Sequence, residues 1–232
     1  MKFWGKLFGL FALGGSLLVF AIANTWNLTT PILQNDNAAV VIAGKDGSMG
    51  SGFVINEAGC ILTAAHVIRT TDEFMVDRPG SVSRIKYRIV AVGANRLDAA
   101  VLCPISFVTP KSIATLSLEK VAIGNQIHLF GFYVNTGHFV KKSGAIVDFI
   151  TEDMDLYNYK AAPRFELNDG EYIRTGFSGS PIISEHGVIG IVAICFHTFD
   201  EQKLWLCAGP NMTDVVQFLH DNGIKFYATS GH

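Results

Sequence analysis

Residues 175–184 read Thr175-Gly176-Phe177-Ser178-Gly179-Ser180-Pro181-Ile182-Ile183-Ser184, and the second half of that stretch decides the fold. A serine set between glycines suits a sharp turn. Glycine permits the positive φ that lets the Ser178 hydroxyl project while nearby amides point at one spot. The same G-x-S-x-G spacing occurs in α/β folds, where the serine stands on an elbow between a strand and a helix. Here Pro181 is followed by Ile182, Ile183 and Ser184, which continue as a strand. Taken alone, the segment also reads as a Gly/Ser hairpin turn.

The chain from Ala38 onward has the same texture. Short apolar runs rich in Val, Ile and Phe are separated by Gly, Asn, Asp and Pro: Ala38–Ala43, Gly52–Ile55, Cys60–Ala65, Tyr87–Val92, Ala99–Leu102, Gln126–Phe130, Gly144–Phe149, Gly187–Ile194 and Leu204–Ala208. Strands recurring so closely, without helical periodicity between them, predict an all-β sandwich or barrel. Thr213–Asn222 is the exception. It spaces Val215, Val216, Phe218 and Leu219 for one helical face, with Thr213 as N-cap and Gly223 as stop.

Apolar residues make up 49% of the 232-residue chain and charged ones 16%, ample for a core, and the net charge is −2. No clustered cationic face is visible, which argues against a nucleic-acid partner. Part of the apolar excess is a targeting segment: Lys2 and Lys6 precede an uncharged apolar run from Leu7 to Ala23 ending Ala21-Ile22-Ala23. That small-x-small ending suits signal-peptidase cleavage before Asn24. Retention as an N-terminal membrane anchor is the alternative, although the run is short of the ~20 residues a span needs. Either outcome exports the rest of the chain, because the positive flank stays inside. Membrane contact is expected only if the segment is retained.

Two further segments bear on chemistry. Gly52-Phe53-Val54-Ile55 leads through a turn to Cys60-Ile61-Leu62-Thr63-Ala64-Ala65-His66, and Arg96-Leu97-Asp98-Ala99-Ala100-Val101-Leu102-Cys103 sets an aspartate before a buried strand. Each alone is ordinary: a surface histidine, a turn aspartate. In the order His66, Asp98, Ser178 they resemble the trypsin/chymotrypsin clan, and within it the bacterial high-temperature-requirement and V8-type proteases. The likeness extends through Val121-Ala122-Ile123-Gly124 to Gly131 and Lys142–Val147, and so covers roughly residues 38–222.

The resemblance implies two six-stranded antiparallel β-barrels with a C-terminal helix. Residues 1–23 are then the export segment, 24–37 a linker and 38–225 the protease domain, with 226–232 a tail. The first barrel takes about 38–118, the second about 119–212, and the helix about 213–222. It implies a serine endopeptidase acting on polypeptides without a cofactor or metal. Ser178 is the nucleophile, His66 the general base and Asp98 the group that orients His66, with the Gly176 and Ser178 amides as oxyanion hole. Tyr172, Thr175, Ala193, Ile194 and Cys195 correspond to the substrate-binding positions. No acidic residue falls at the pocket base, so Tyr172 and Ile194 predict an apolar or small residue before the cut rather than Lys or Arg. Phe177 stands where many animal relatives carry the aspartate of the zymogen switch, so that activation route is not expected. Ser180 replaces a more usual glycine.

Cys60, Cys103, Cys195 and Cys207 are too irregularly spaced for a zinc motif. If the His66 and Asp98 segments run antiparallel, Cys60 and Cys103 fall almost opposite each other. Cys195 and Cys207 could bridge a hairpin around His197–Lys203. Four buried thiols are the alternative. Gly47–Gly52 lacks the Lys-Ser/Thr of a phosphate cradle and reads as the loop into the histidine's hairpin. Two other functions compete with the endopeptidase: an inactive trypsin-like binding or scaffold protein, and a serine hydrolase acting on esters.

Overall fold

Short apolar strands, most of them buried on both faces, close the first half of the molecule. The computed structural model describes residues 32–33, 36–69, 71–78, 84–94, 96–151, 161–168, 173, 175–197 and 205–229. β1 (Ile32–Leu33) precedes β2 (Ala39–Gly44), β3 (Met49–Val54), β4 (Ile61–Thr63), β5 (Phe74–Asp77), β6 (Ile85–Val92) and β7 (Ala100–Pro104). Strands β2-β3-β4-β7-β6-β5 form a closed antiparallel barrel. In β6, Tyr87 and Ala91 point inward while Lys86, Arg88 and Val90 face water, the alternation of a strand with one buried face. By register Ile61, Phe74 and Leu102 share the inward face of Tyr87, and all three are buried in the same core.

β4 and β7 pair in the register Ile61↔Leu102, Leu62↔Val101 and Thr63↔Ala100. One step further out that register sets Cys60 beside Cys103, and the two are bonded with Cα atoms 4.2 Å apart. Cys195 and Cys207 form the second disulfide.

The second half departs from expectation. It contains β8 (Ser112–Ile113), β9 (Thr115–Ser117), β10 (Gln126–Tyr133), β11 (His138–Phe149), β12 (Pro163–Leu167), β13 (Pro181–Ser184), β14 (Gly187–Ile191), β15 (Ile194–His197) and β16 (Trp205–Ala208). Helix α1 (Met212–Asp221) and β17 (Tyr227–Thr229) follow. Among the described residues the sheet is open, with nine strands in the order β15-β16-β12-β11-β10-β13-β14-β9-β17. The architecture is therefore one closed six-stranded barrel plus an open sheet, not two six-stranded barrels. Closure would require β15 to reach the outer edge of β14. That edge is occupied: Val188 of β14 pairs in parallel with Leu116 of β9, which in turn pairs with β17. The run Gly187–Ile194, read as one strand in the sequence, is divided at Val192–Ala193. There the chain changes partner: the Val192 N–H still donates to the Ser180 carbonyl at 2.9 Å, on the β13 side, whereas the Ala193 N–H donates to the Ala208 carbonyl of β16 at 2.9 Å.

Helix α1 starts two residues earlier than its sequence pattern suggested, which made Thr213 the N-cap. Asn211 is the N-cap, and its Oδ1 accepts the Thr213 N–H at 2.9 Å, the usual way an asparagine satisfies an orphan donor. Its face of Met212, Val215, Val216, Phe218 and Leu219 joins the barrel core together with Ile183, Val188 and Ile191 of the sheet.

Tyr87 heads the fully buried side chains by volume, and its hydroxyl donates to the Gly59 carbonyl at 3.1 Å. Burial pushes the Tyr87 phenol above its ordinary value, with the Arg78 charge and hydrogen bond pulling partly back. The folded chain thus holds this proton more tightly than the unfolded chain. The resulting stability is present below the ordinary tyrosine range and is lost as pH rises through the raised value. Tyr87→Phe should cost ~1 kcal/mol at neutral pH through the lost hydrogen bond. Denaturant titrations should also show it losing less stability than wild type above pH ~10.

Candidate active site

Asp98 is fully buried, held there by the loop before β7. Arg96 turns the chain in the left-handed region at φ 69°, and the loop closes with the Gly93 N–H on the Ala99 carbonyl at 2.8 Å. Buried carboxylates need partners, and His66 supplies two donors. Its Nδ1 lies 2.8 Å from Asp98 Oδ2, and its backbone N–H donates to Oδ1 at 2.9 Å. An ionised carboxylate offers only acceptors, so Nδ1 carries the proton and Nε2 is left with its lone pair. His66 sits in a 3-10 turn, Ala65–Ile68, after β4 ends at Thr63. Its side chain is 28% exposed, against 0% for Asp98, so the ring bridges interior and solvent.

The Ser178 loop is tied to this framework from both sides. The Ser51 N–H of β3 donates to the Ser178 carbonyl at 2.7 Å, and the Gly179 N–H donates to the Val192 carbonyl at 2.7 Å. Two glycines make the approach possible. A Cβ on Gly50 would lie 2.6 Å from Val67 Cγ1 and 3.1 Å from the Ser178 carbonyl oxygen, so the turn of His66 and the loop of Ser178 meet at this residue. A Cβ on Gly179 would lie 2.0 Å from the Ser51 carbonyl oxygen and 2.3 Å from Thr63 Oγ1, and its φ is 88°. No side chain fits there.

The carbonyls of the two expected oxyanion-hole peptides are pinned. Thr175 O accepts from the Val134 N–H at 3.3 Å and Phe177 O from the Ser180 N–H at 2.8 Å. A trans peptide directs its N–H opposite its carbonyl, so each contact fixes the direction of the Gly176 or Ser178 N–H. Of the expected substrate-binding positions, Thr175 is exposed and Ala193 and Ile194 are half-buried. Cys195 pairs across from Cys207. Tyr172 lies outside the described residues.

Sequence reasoning missed Ser51. Its segment, read as a loop into the hairpin, is strand from Met49 onward. The buried Ser51 Oγ donates to the Gly176 carbonyl at 2.6 Å and accepts the Phe132 N–H at 2.9 Å, joining barrel, sheet and Ser178 loop through one atom. No local signal marked it, because a serine in the glycine-rich run Gly47–Gly52 reads as a turn residue.

A buried Asp–His pair on a barrel, with the histidine's turn meeting a glycine-bounded serine loop at Gly50, fits a serine peptidase domain of the chymotrypsin type. The family model for the trypsin-like peptidase domain matches residues 50–193. The chain belongs to that family. Two proteins described as probable periplasmic serine endoproteases, DegP-like, from Pseudomonas putida strains W619 and F1, are each 30% identical to it over 148 residues. The match takes in 62% of this chain and 28% of each relative, so the chain spans well under a third of their length. The Rv3671c protease of M. tuberculosis in its active form superposes with TM-score 0.64 at 18% identity, covering 85% of this chain and 86% of that one. A serine endoprotease of Yersinia pestis gives 0.63 at 19%, covering 81% and 63%. These solved structures share the fold.

Ser51→Ala removes both contacts of the bridging hydroxyl and leaves the Gly176 carbonyl and Phe132 N–H without partners. It should cost about 1–2 kcal/mol of stability. Because small misplacements of reacting groups are expensive, kcat for a peptide substrate should fall by about 10- to 100-fold with little change in KM. An unchanged kcat in a folded variant would remove Ser51 from the positioning of the loop.

Proposed function

We propose that this domain cuts polypeptides outside the cytoplasm through an acyl-enzyme formed on Ser178. The observation that carries the reading is the His66–Asp98 contact, in which a solvent-free carboxylate fixes the tautomer of a half-exposed imidazole. His66 Nε2 takes the Ser178 proton as Oγ attacks the scissile carbonyl, and Asp98 stabilises the imidazolium that forms. The Gly176 and Ser178 N–H groups receive the developing oxyanion. His66 returns the proton to the leaving amine. Water, activated by the same imidazole, then hydrolyses the ester.

By the resemblance, Thr175, Ala193, Ile194 and Cys195 are substrate-binding positions, and the residue before the cut is apolar or small. The two Pseudomonas relatives are described as periplasmic, and the charge pattern of residues 1–23 supports export in the same sense. Residues 7–23 either leave by cleavage before Asn24 or hold the domain at the membrane. Among the described residues no helix is long and apolar enough to cross a bilayer.

The test is a fluorophosphonate probe alongside casein hydrolysis. Wild type should be labelled and should cleave casein, and Ser178→Ala should do neither. Labelling without casein cleavage would favour an esterase, and a folded wild type that takes no label would contradict catalysis altogether. Asp98→Asn should keep the fold and lower kcat on the order of 10⁴-fold at neutral pH, because the amide selects the wrong tautomer.

A further inference from the structure

One face of the β10–β11 hairpin carries an aromatic cluster beside the Ser178 loop. Burial alternates along β10: Ile127, Leu129 and Gly131 face the interior of the sheet, and His128, Phe130 and Phe132 face the other way. The register sets Phe139 of β11 opposite Phe132, and Phe139 is the middle ring of three. Its centroid lies 5.5 Å from that of Phe130, nearly parallel, and 5.7 Å from that of Phe132, edge to face. All three side chains are only half-buried. Among the described residues none of them joins a hydrophobic core of barrel or sheet. The rings stack on one another and still leave apolar surface open to water.

Backbone contacts tie this cluster to the reacting groups. The Phe132 N–H donates to Ser51 Oγ, which donates to the Gly176 carbonyl, and a Cβ on Gly176 would lie 2.6 Å from the Phe132 carbonyl oxygen. Met49 stands two residues before Ser51 on β3, so its side chain leaves the strand on the Ser51 side, toward the same hairpin, and it too is half-buried. Between them is Gly50, where the His66 turn and the Ser178 loop meet. The other flank of the Ser178 loop is held by Val192 and runs on into Ala193–Cys195, the positions that by the resemblance take the residue before the cut. Met49 and the rings lie on the opposite flank. A polypeptide crossing Ser178 with its acyl half over 193–195 therefore sends its leaving half over Met49 and the rings.

We propose that Met49, Phe132 and Phe139 bind the leaving half of the substrate and select an aromatic or large aliphatic side chain within the first three residues after the cut. A fourth ring extends the cluster by the stacked and edge-to-face contacts its members already make. Three extended residues span about 10 Å, enough to pass from Ser178 beyond Ser51 to the Phe132–Phe139 pair. Contacts on this side are lost when the leaving amine departs, so they favour formation of the acyl-enzyme and not its hydrolysis. The inference rests on the proposed proteolysis and adds to it a selection after the cut.

The test digests a peptide library of mixed sequence with the full chain and reads the new N-termini of the products. Aromatic and large aliphatic residues should be enriched at least about threefold at one of the first three positions. Phe139→Ala should bring that enrichment to background, and Met49→Ala, which leaves the ring stack whole, should lower it. Phe139→Tyr, which keeps the ring, and Thr136→Ala, in the exposed β10–β11 turn, should retain it. Fluorophosphonate labelling shows that the site is assembled in each variant, and the residue preferred before the cut should be the same in all. No enrichment in the wild-type products, or an undiminished one in labelled Phe139→Ala or Met49→Ala, would overturn the inference and leave the proteolysis standing. A wild type that takes no label and yields no products would remove the proteolysis, and this inference with it.

Discussion

A carboxylate removed from water is the constraint around which this domain is arranged. Asp98 has no exposed surface, and an unpaired charge in that position would be strongly destabilising. The two His66 contacts answer it from backbone and ring together. They also bind the end of β4 to the start of β7, while the Cys60–Cys103 disulfide holds the same pair of strands at their far ends. The histidine is thus positioned by a strand pair clamped at both ends, and its tautomer follows from the acceptor-only chemistry of its partner.

The serine reaches this pair by a different route. Its loop belongs to the open sheet, and it is the barrel strand β3 that holds it, through the Ser51 N–H on the Ser178 carbonyl and the Ser51 hydroxyl on the Gly176 carbonyl. Second-barrel closure is therefore not needed to assemble the site. The contacts run from β3 and the turn after β4 to the Ser178 loop, and from that loop to Val192. The outer edge of β14 is free to recruit β9 and β17 instead, and α1 packs its apolar face where barrel and sheet cores meet.

Much of this was legible in the sequence because it rests on local pattern. The short apolar runs between turn residues marked most of the strands. The antiparallel relation of the His66 and Asp98 segments set Cys60 opposite Cys103. What could not be read depends on long-range pairing. Nothing within 187–194 says that the chain changes partner between Val192 and Ala193, from Ser180 to Ala208, which divides β14 from β15. Nothing in residues 226–232, read as a tail, says that Tyr227–Thr229 pairs with β9, the strand that occupies the outer edge of β14. Ser51 was invisible for a related reason: a hydroxyl in a glycine-rich stretch looks like a turn residue until its partners, 81 and 125 residues away in sequence, are known.

The most direct test of the account is the protonation of His66 in the folded resting protein. Nitrogen-15 spectra of histidine-labelled full-length chain, with the His66 signals assigned by difference against His66→Gln, report which ring nitrogen carries the proton at neutral pH. A proton on Nδ1 and a bare Nε2, with the pattern lost in Asp98→Asn, is the predicted result. A proton resident on Nε2, or a ring exchanging freely between tautomers, would contradict the claim that the buried carboxylate organises the site.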